Sequence, residues 1–195
     1  MQIIDRNMPY NQFLAMFDGI HAEWIDGVVY QLPIRSAIHQ TVQRTLDKLL
    51  TLFLTKYTIG EHVIAPTVLY MTDSTSARCP DIQVLLDNNA VHNTGREIIG
   101  ASDIVIEIIS EHHHVCERGD KFIEYEQLGV GEYWIIDPIR QECLFYTLQS
   151  GLFRRSDPDP NGVYHSQRLP NFRLPIQFLW SEPTDDKIAQ LIDSM

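Results

Sequence analysis

Positive charge is scarce in this chain: 15 Lys and Arg stand against 26 Asp and Glu, a formal net charge of −11. A uniformly acidic surface repels phosphate, so binding of nucleic acid by bulk charge alone is excluded. A local site is not excluded, because a metal ion in an acidic cleft reverses the sign of the field around it. Cysteine is sparse too. Cys79, Cys116 and Cys143 are odd in number and lack C-x-x-C spacing, which fits a reduced, cytoplasmic setting better than a disulfide framework. No apolar run approaches the roughly 20 residues of a membrane span, and the longest are broken by Asp or Glu. Met1–Arg6 has no basic segment followed by an apolar one, so no secretory signal is expected. Repeats, low-complexity tracts and linkers are missing, and residues 1–195 are expected to form one domain.

What is present is an ordinary globular composition, 44% hydrophobic and 21% charged. Residues 9–20 read as a short amphipathic helix with Phe13, Leu14 and Phe17 on its apolar side. Asp26-Gly27 between two β-prone runs, Ala22–Ile25 and Val28–Leu32, predicts a hairpin, because both turn residues must accept positive φ. Ser36 can cap a long helix carrying Ile38, Val42, Leu46, Leu49, Leu50, Phe53 and Tyr57, with Gly60 closing it. A strand over 63–70 follows, with Pro66 marking an edge or an irregularity. The stretch 72–79 reads as a polar turn, 81–86 as a strand, and 87–102 as mostly loop with a short helix. The unbroken Ile/Val run at 103–109 predicts a central strand buried on both faces. A helix is expected from 117 to 128, stopped by Gly129, then a buried strand at 133–136 and a hairpin through Ser150-Gly151. One more strand over 164–169 and a helix over 184–193 complete the expected order. Helices mixed with hairpins and central apolar strands give an α/β (α+β) sandwich.

Glu107 is the sharpest chemical clue. A carboxylate inside Val105-Ile106-Glu107-Ile108-Ile109 loses hydration, which is costly unless a cation or donor compensates. Alone, it reads equally as a strand-end acid paired with one structural Arg or Lys. Asp81 follows Pro80 at the start of a strand, at a sheet rim. Alone it reads as a strand-start acid, but paired strands can bring it to the same face as Glu107, where two carboxylates share a hard divalent ion. Lys121 lies on the helix after the Glu107 strand and shares a face with Tyr125 and Leu128. The plainer account is a lysine whose stem lies along the core. Glu23 stands in the first hairpin and His39 in the first turn of the long helix, turned partly inward. A hairpin acid and a boundary histidine are their plainer readings.

The order of these pieces is distinctive: Glu23–Gly27 in the first hairpin, His39 on the long helix, Pro80-Asp81, Ile106–Ser110, Lys121–Tyr125, and Gly129–Pro138. It resembles a large bacterial family of restriction-endonuclease-like proteins within the PD-(D/E)XK nuclease superfamily. The resemblance spans roughly residues 10–150. It implies a restriction-endonuclease-like mixed central β-sheet flanked by helices, with an N-terminal hairpin. It also implies hydrolysis of DNA phosphodiester bonds dependent on magnesium or manganese. Asp81 and Glu107 match the metal-binding acids, Glu23 is a further acid of the metal shell, and His39 joins the catalytic set. The superfamily pattern puts a lysine two positions after the second acid, where this chain has Ile109. The resemblance implies that Lys121, on the next helix, takes its role. Ser110 is followed by Glu111 and His112-His113-His114, where relatives have Pro and small polar residues. DNA is the expected substrate and a second copy of the chain the expected partner in a homodimer.

Three other readings compete. The first is a nuclease fold that no longer cuts and instead binds DNA or a protein, an alternative that the acidic balance keeps open. The second is a zinc site drawn from His112–His114 and Cys116, but neighbouring residues on one loop seldom close a tetrahedral shell. A two-carboxylate glycosidase needs a cleft lined by aromatics, and Trp24, Trp134 and Trp180 do not cluster near the acids in sequence.

Overall fold

The computed structural model describes residues 2–71, 75–110 and 115–195, the side chains of 115–118 excepted. The chain runs β1 (Gln2–Asp5), α1 (Tyr10–Met16), β2 (Ala22–Ile25), β3 (Val28–Gln31), α2 (Ala37–Tyr57), β4 (Gly60–Ile64), β5 (Val68–Tyr70), β6 (Ser76–Arg78) and β7 (Ile82–Leu86). It continues through β8 (His92–Asn93), β9 (Glu97–Ile99), β10 (Ile104–Ile108), α3 (Val115–Leu128), β11 (Glu132–Asp137), β12 (Glu142–Gln149) and β13 (Leu152–Arg155). It ends with β14 (Val163–His165), β15 (Arg173–Pro175), α4 (Gln177–Ser181) and α5 (Asp185–Asp193).

Among the described residues the strands form three sheets. A six-stranded mixed sheet has the order β13-β12-β11-β10-β7-β4, a seven-stranded one β1-β3-β2-β6-β5-β9-β8, and β14 pairs with β15. β10 is central, parallel to β11 and antiparallel to β7. Its alternate residues part the core. Ile104, Ile106 and Ile108 pack with Leu46, Leu50 and Phe53 of α2 and with Leu179, Ile188 and Ile192 of the C-terminal helices. Val105 and Ile109 face Tyr125 of α3 and Leu69 and Ile98 of the second sheet. The central strand is thus covered on both faces, as its apolar run predicts. The outer face of the second sheet packs Ala22, Val29 and Ala77 against Phe13 of α1. The fold is a mixed α+β one, with sheets flanked by helices. No helix among the described residues is long and apolar enough to cross a membrane.

Local chemistry explains the ends. Asp26 and Gly27 take φ of 49° and 79°, and Ile25 pairs with Val28 across them. Ser36 caps α2 by accepting from the His39 amide. The stop of that helix differs from the expectation: Thr58, not Gly60, adopts the left-handed conformation and donates to the Leu54 carbonyl. Gly60 instead begins β4, where a Cβ would lie 2.2 Å from the Leu85 carbonyl oxygen. Glycine there permits strand approach rather than helix termination.

Other expectations also change. The strand expected over 63–70 is two strands in two sheets, with Pro66 in the turn between them. Part of the polar stretch 72–79 is β6, whose three residues are all buried. The loop expected over 87–102 carries β8 and β9. The strand expected over 164–169 is only β14, and β15 and α4 follow it where no element is expected.

β11 opens on a fully buried carboxylate. Glu132 accepts from Trp134 Nε1 at 2.8 Å, Tyr164 OH at 3.0 Å, Ser166 Oγ at 3.1 Å, and the backbone amides of Gln167 and Arg168. These donors satisfy a charge that would otherwise be very costly to bury.

Candidate active site

β7 and β10 pair with Ile82 opposite Ile106, so one step beyond that pair Asp81 stands opposite Glu107. Residues directly opposite share a face. That face is the one α3 covers, and α3 brings Lys121 and Tyr125 to Glu107 four residues apart on one stripe. Lys121 Nζ and Tyr125 OH each donate to Glu107 Oε1 at 2.9 Å. Lys121 Nζ also lies 2.8 Å from Glu23 Oε1. The hairpin β2–β3 therefore delivers Glu23 to the same cluster, through the second sheet.

Both Glu23 oxygens have further donors besides Lys121. Its Oε2 accepts from Arg78 at 3.0 Å and its Oε1 from the Cys79 amide at 3.2 Å. Arg78 forks onto both oxygens of Glu124 of α3, at 2.6 and 2.7 Å. Asp81 is held from three sides. Arg35 reaches its Oδ1 with Nε at 2.9 Å and a terminal nitrogen at 2.7 Å, and His39 Nε2 lies 3.2 Å from the same oxygen. The Ile108 amide donates to Oδ2 at 2.7 Å.

Charge sets the protonation of the cluster. Burial opposes the charge on Asp81, but His39, Arg35 and the Ile108 amide outweigh it and lower the pKa. Burial likewise opposes Glu23, yet Lys121 and Arg78 hold it down at about 2. Burial disfavours the Lys121 ammonium, and Glu107 and Glu23 overcome that and raise its pKa well above the ordinary value. Glu107 is different. Burial drives it up, Lys121 pulls it down, and repulsion from Asp81 and Glu23 adds to the rise, leaving it at about 7. One ammonium is shared between Glu23 and Glu107, and Glu107 carries the shortfall.

A small cavity of about 20 Å³ opens here, lined by Arg35, His39, Asp81, Glu107, Ile108 and Lys121 among others. It holds about one water-sized occupant. Of the five residues singled out from sequence, Asp81, Glu107, Lys121 and His39 line this cavity, while Glu23 stands behind Lys121. His112–His114 lie outside the described residues. Arg35, His21, Arg78 and Tyr125 complete the cluster and escaped the sequence reading as functional groups. For Tyr125 a signal existed, a hydroxyl on the same helical stripe as Lys121. For Arg35 and Arg78 there was none beyond their places near Ser36 and Pro80.

The donor set can be tested against a divalent ion. The two carboxylates are hard oxygen donors facing one cavity, which suits magnesium bound through one or two acids and otherwise by water and phosphate. No group of three or more His, Cys, Asp or Glu among the described residues could hold a metal ion. An ion here would rest on the two acids, with water and phosphate completing its shell.

Fold and neighbours define a class first. A solved structure titled as a "putative nuclease belonging to DUF820" from Anabaena variabilis superposes with a TM-score of 0.72 at 20% identity, covering 88% of this chain and 97% of that one. This is the nuclease fold of that structure. The sequence is more specific: over residues 10–177 it matches Uma2, described as "Putative restriction endonuclease", and the chain belongs to that family. No curated protein matches it.

Proposed function

We propose that the chain hydrolyses DNA phosphodiester bonds with a divalent ion, magnesium or manganese, held by Asp81 and Glu107. The observation that carries this is the pairing of Asp81 and Glu107 across β7 and β10 on one cavity, with Lys121 on Glu107. When bound there, such an ion polarises the scissile phosphate and acidifies a water. Asp81 and Glu107 orient it. Lys121 supplies an ammonium toward the charge that grows on phosphate. Tyr125 fixes the Glu107 carboxylate, His39 fixes Asp81, and Glu23 steadies Lys121 from behind rather than completing the metal shell. Membership of a restriction-endonuclease family supports the reaction class.

One observation favours a second reading, a nuclease fold that binds DNA or a protein without cutting: Arg35 already neutralises Asp81. Incubation of duplex, single-stranded and branched DNA with magnesium or manganese, beside Asp81→Ala, separates the two. Cleavage lost in the variant supports the nuclease. Intact DNA in every lane, with manganese bound by neither protein, defeats it.

A further inference from the structure

Arg35 belongs to the loop between β3 and α2, one residue before the helix cap. Its guanidinium occupies the Asp81 Oδ1 that a divalent ion needs, at 2.7 and 2.9 Å. Two cations cannot share that oxygen at such distances without strong repulsion. Its other neighbour is His21, whose Nε2 lies 2.9 Å from a terminal nitrogen of Arg35.

The loop gives the side chain somewhere to go. Gln40 Nε2 donates to the Arg35 carbonyl at 3.1 Å and pins the backbone, so any movement of the guanidinium is confined to its long side chain. Arg35 also lines an open cleft of about 440 Å³ beside Gln31, Gln40 and Gln43. A second cleft along α2 is lined by Arg35, Gln40, Gln43 and Arg44, with Asp47 as its one acid. Cations and amide donors at the mouth of a site are the groups that hold a sugar–phosphate backbone.

We propose that Arg35 is a movable counter-ion. It closes the site over Asp81 when no divalent ion is present, and it leaves Asp81 to grip a substrate phosphate in the Gln40–Gln43–Arg44 cleft once the ion binds. Ion and DNA then bind with positive coupling, because each favours the swung-out guanidinium. The inference rests on the metal-nuclease reading above.

The test measures binding rather than cutting. Manganese affinity without DNA is read by calorimetry, and affinity for a short duplex by anisotropy in calcium. The wild type, Arg35→Gln, Arg35→Lys and Asp81→Ala are compared. Arg35→Gln is expected to bind manganese roughly five- to tenfold more tightly than wild type, since a competing charge pair is gone. The same variant is expected to bind duplex more weakly, with a salt slope smaller by about one, and Arg35→Lys to fall between. A structural role would weaken both ligands together. Manganese bound no more tightly by Arg35→Gln, while wild type binds it through Asp81, overturns the gate and leaves the nuclease reading standing. Tighter manganese with unchanged DNA affinity overturns the phosphate grip. Manganese ignored by wild type and Arg35→Gln alike overturns the metal reading and the gate with it.

Discussion

Glu107 is the titrating residue of the site, and its sign can be worked out. Its folded pKa is raised to about 7 against an ordinary 4.5. The folded protein therefore holds a proton that the unfolded one has released between those values, and stability contributed by Glu107 falls as pH rises through that window. Asp81 has the opposite sign, since its lowered pKa contributes stability that is lost only in strong acid. Glu107→Gln isolates the first term. In the absence of metal its melting temperature is expected to gain on wild type from about pH 4.5 to pH 7 and to level off above that. Parallel curves would mean Glu107 is not strained. Manganese affinity of the wild type should rise over the same window, because the ion must displace the proton. Lys121 makes a different prediction. Lys121→Ala is expected to lose about a hundred- to a thousandfold in kcat, with little change in KM, as a donor used mainly in the transition state would. A defect confined to KM would remove the catalytic role proposed for this lysine.

At the scale of elements, β6 is the piece that ties the site together. Its Arg78 joins Glu23 of β2 to Glu124 of α3. Removing one member of such a buried network typically costs about 3–5 kcal/mol. Arg78→Ala is expected to melt roughly 10 °C lower, measured by circular dichroism, and a loss of a degree or two would show that α3 docks without it. β6 also shows why sequence stops short. Ser76-Ala77-Arg78 has no apolar alternation, so its burial depends on partners far along the chain, and polarity made it look like a turn. Glu107, by contrast, was legible because its own neighbours are Ile and Val, and Lys121 because Tyr125 shares its stripe. The hairpin at Asp26-Gly27 and the capped start of α2 were legible for the same local reason. Arg35 was not, because nothing adjacent in sequence announces a partner on β7.

For the whole molecule, the net charge of −11 sets the terms of any encounter with DNA. Arg35, Arg78 and Lys121 all face carboxylates, and Arg44 lines the neighbouring cleft. On the proposed function, most of the attraction for a polyanion then comes from a bound divalent ion. Chelation is expected to abolish DNA binding as well as cleavage, in an anisotropy titration with calcium against one with EDTA. Tight binding in EDTA would require a basic surface that the charge balance makes hard to supply.

Glu132 imposes an order on synthesis. It leaves the ribosome about thirty residues before Tyr164, Ser166, Gln167 and Arg168, the groups that satisfy it. Until they emerge, the β11 carboxylate has only Trp134 Nε1 in place of its five donor groups, which makes closing the central sheet around it costly. Among ribosome-stalled chains given the same spacer to clear the exit tunnel, one whose exposed part ends at Gly162 should be digested readily by protease across β11, and one whose exposed part extends past Leu169 should resist. Equal resistance of the two would show that the sheet closes around Glu132 without its latch.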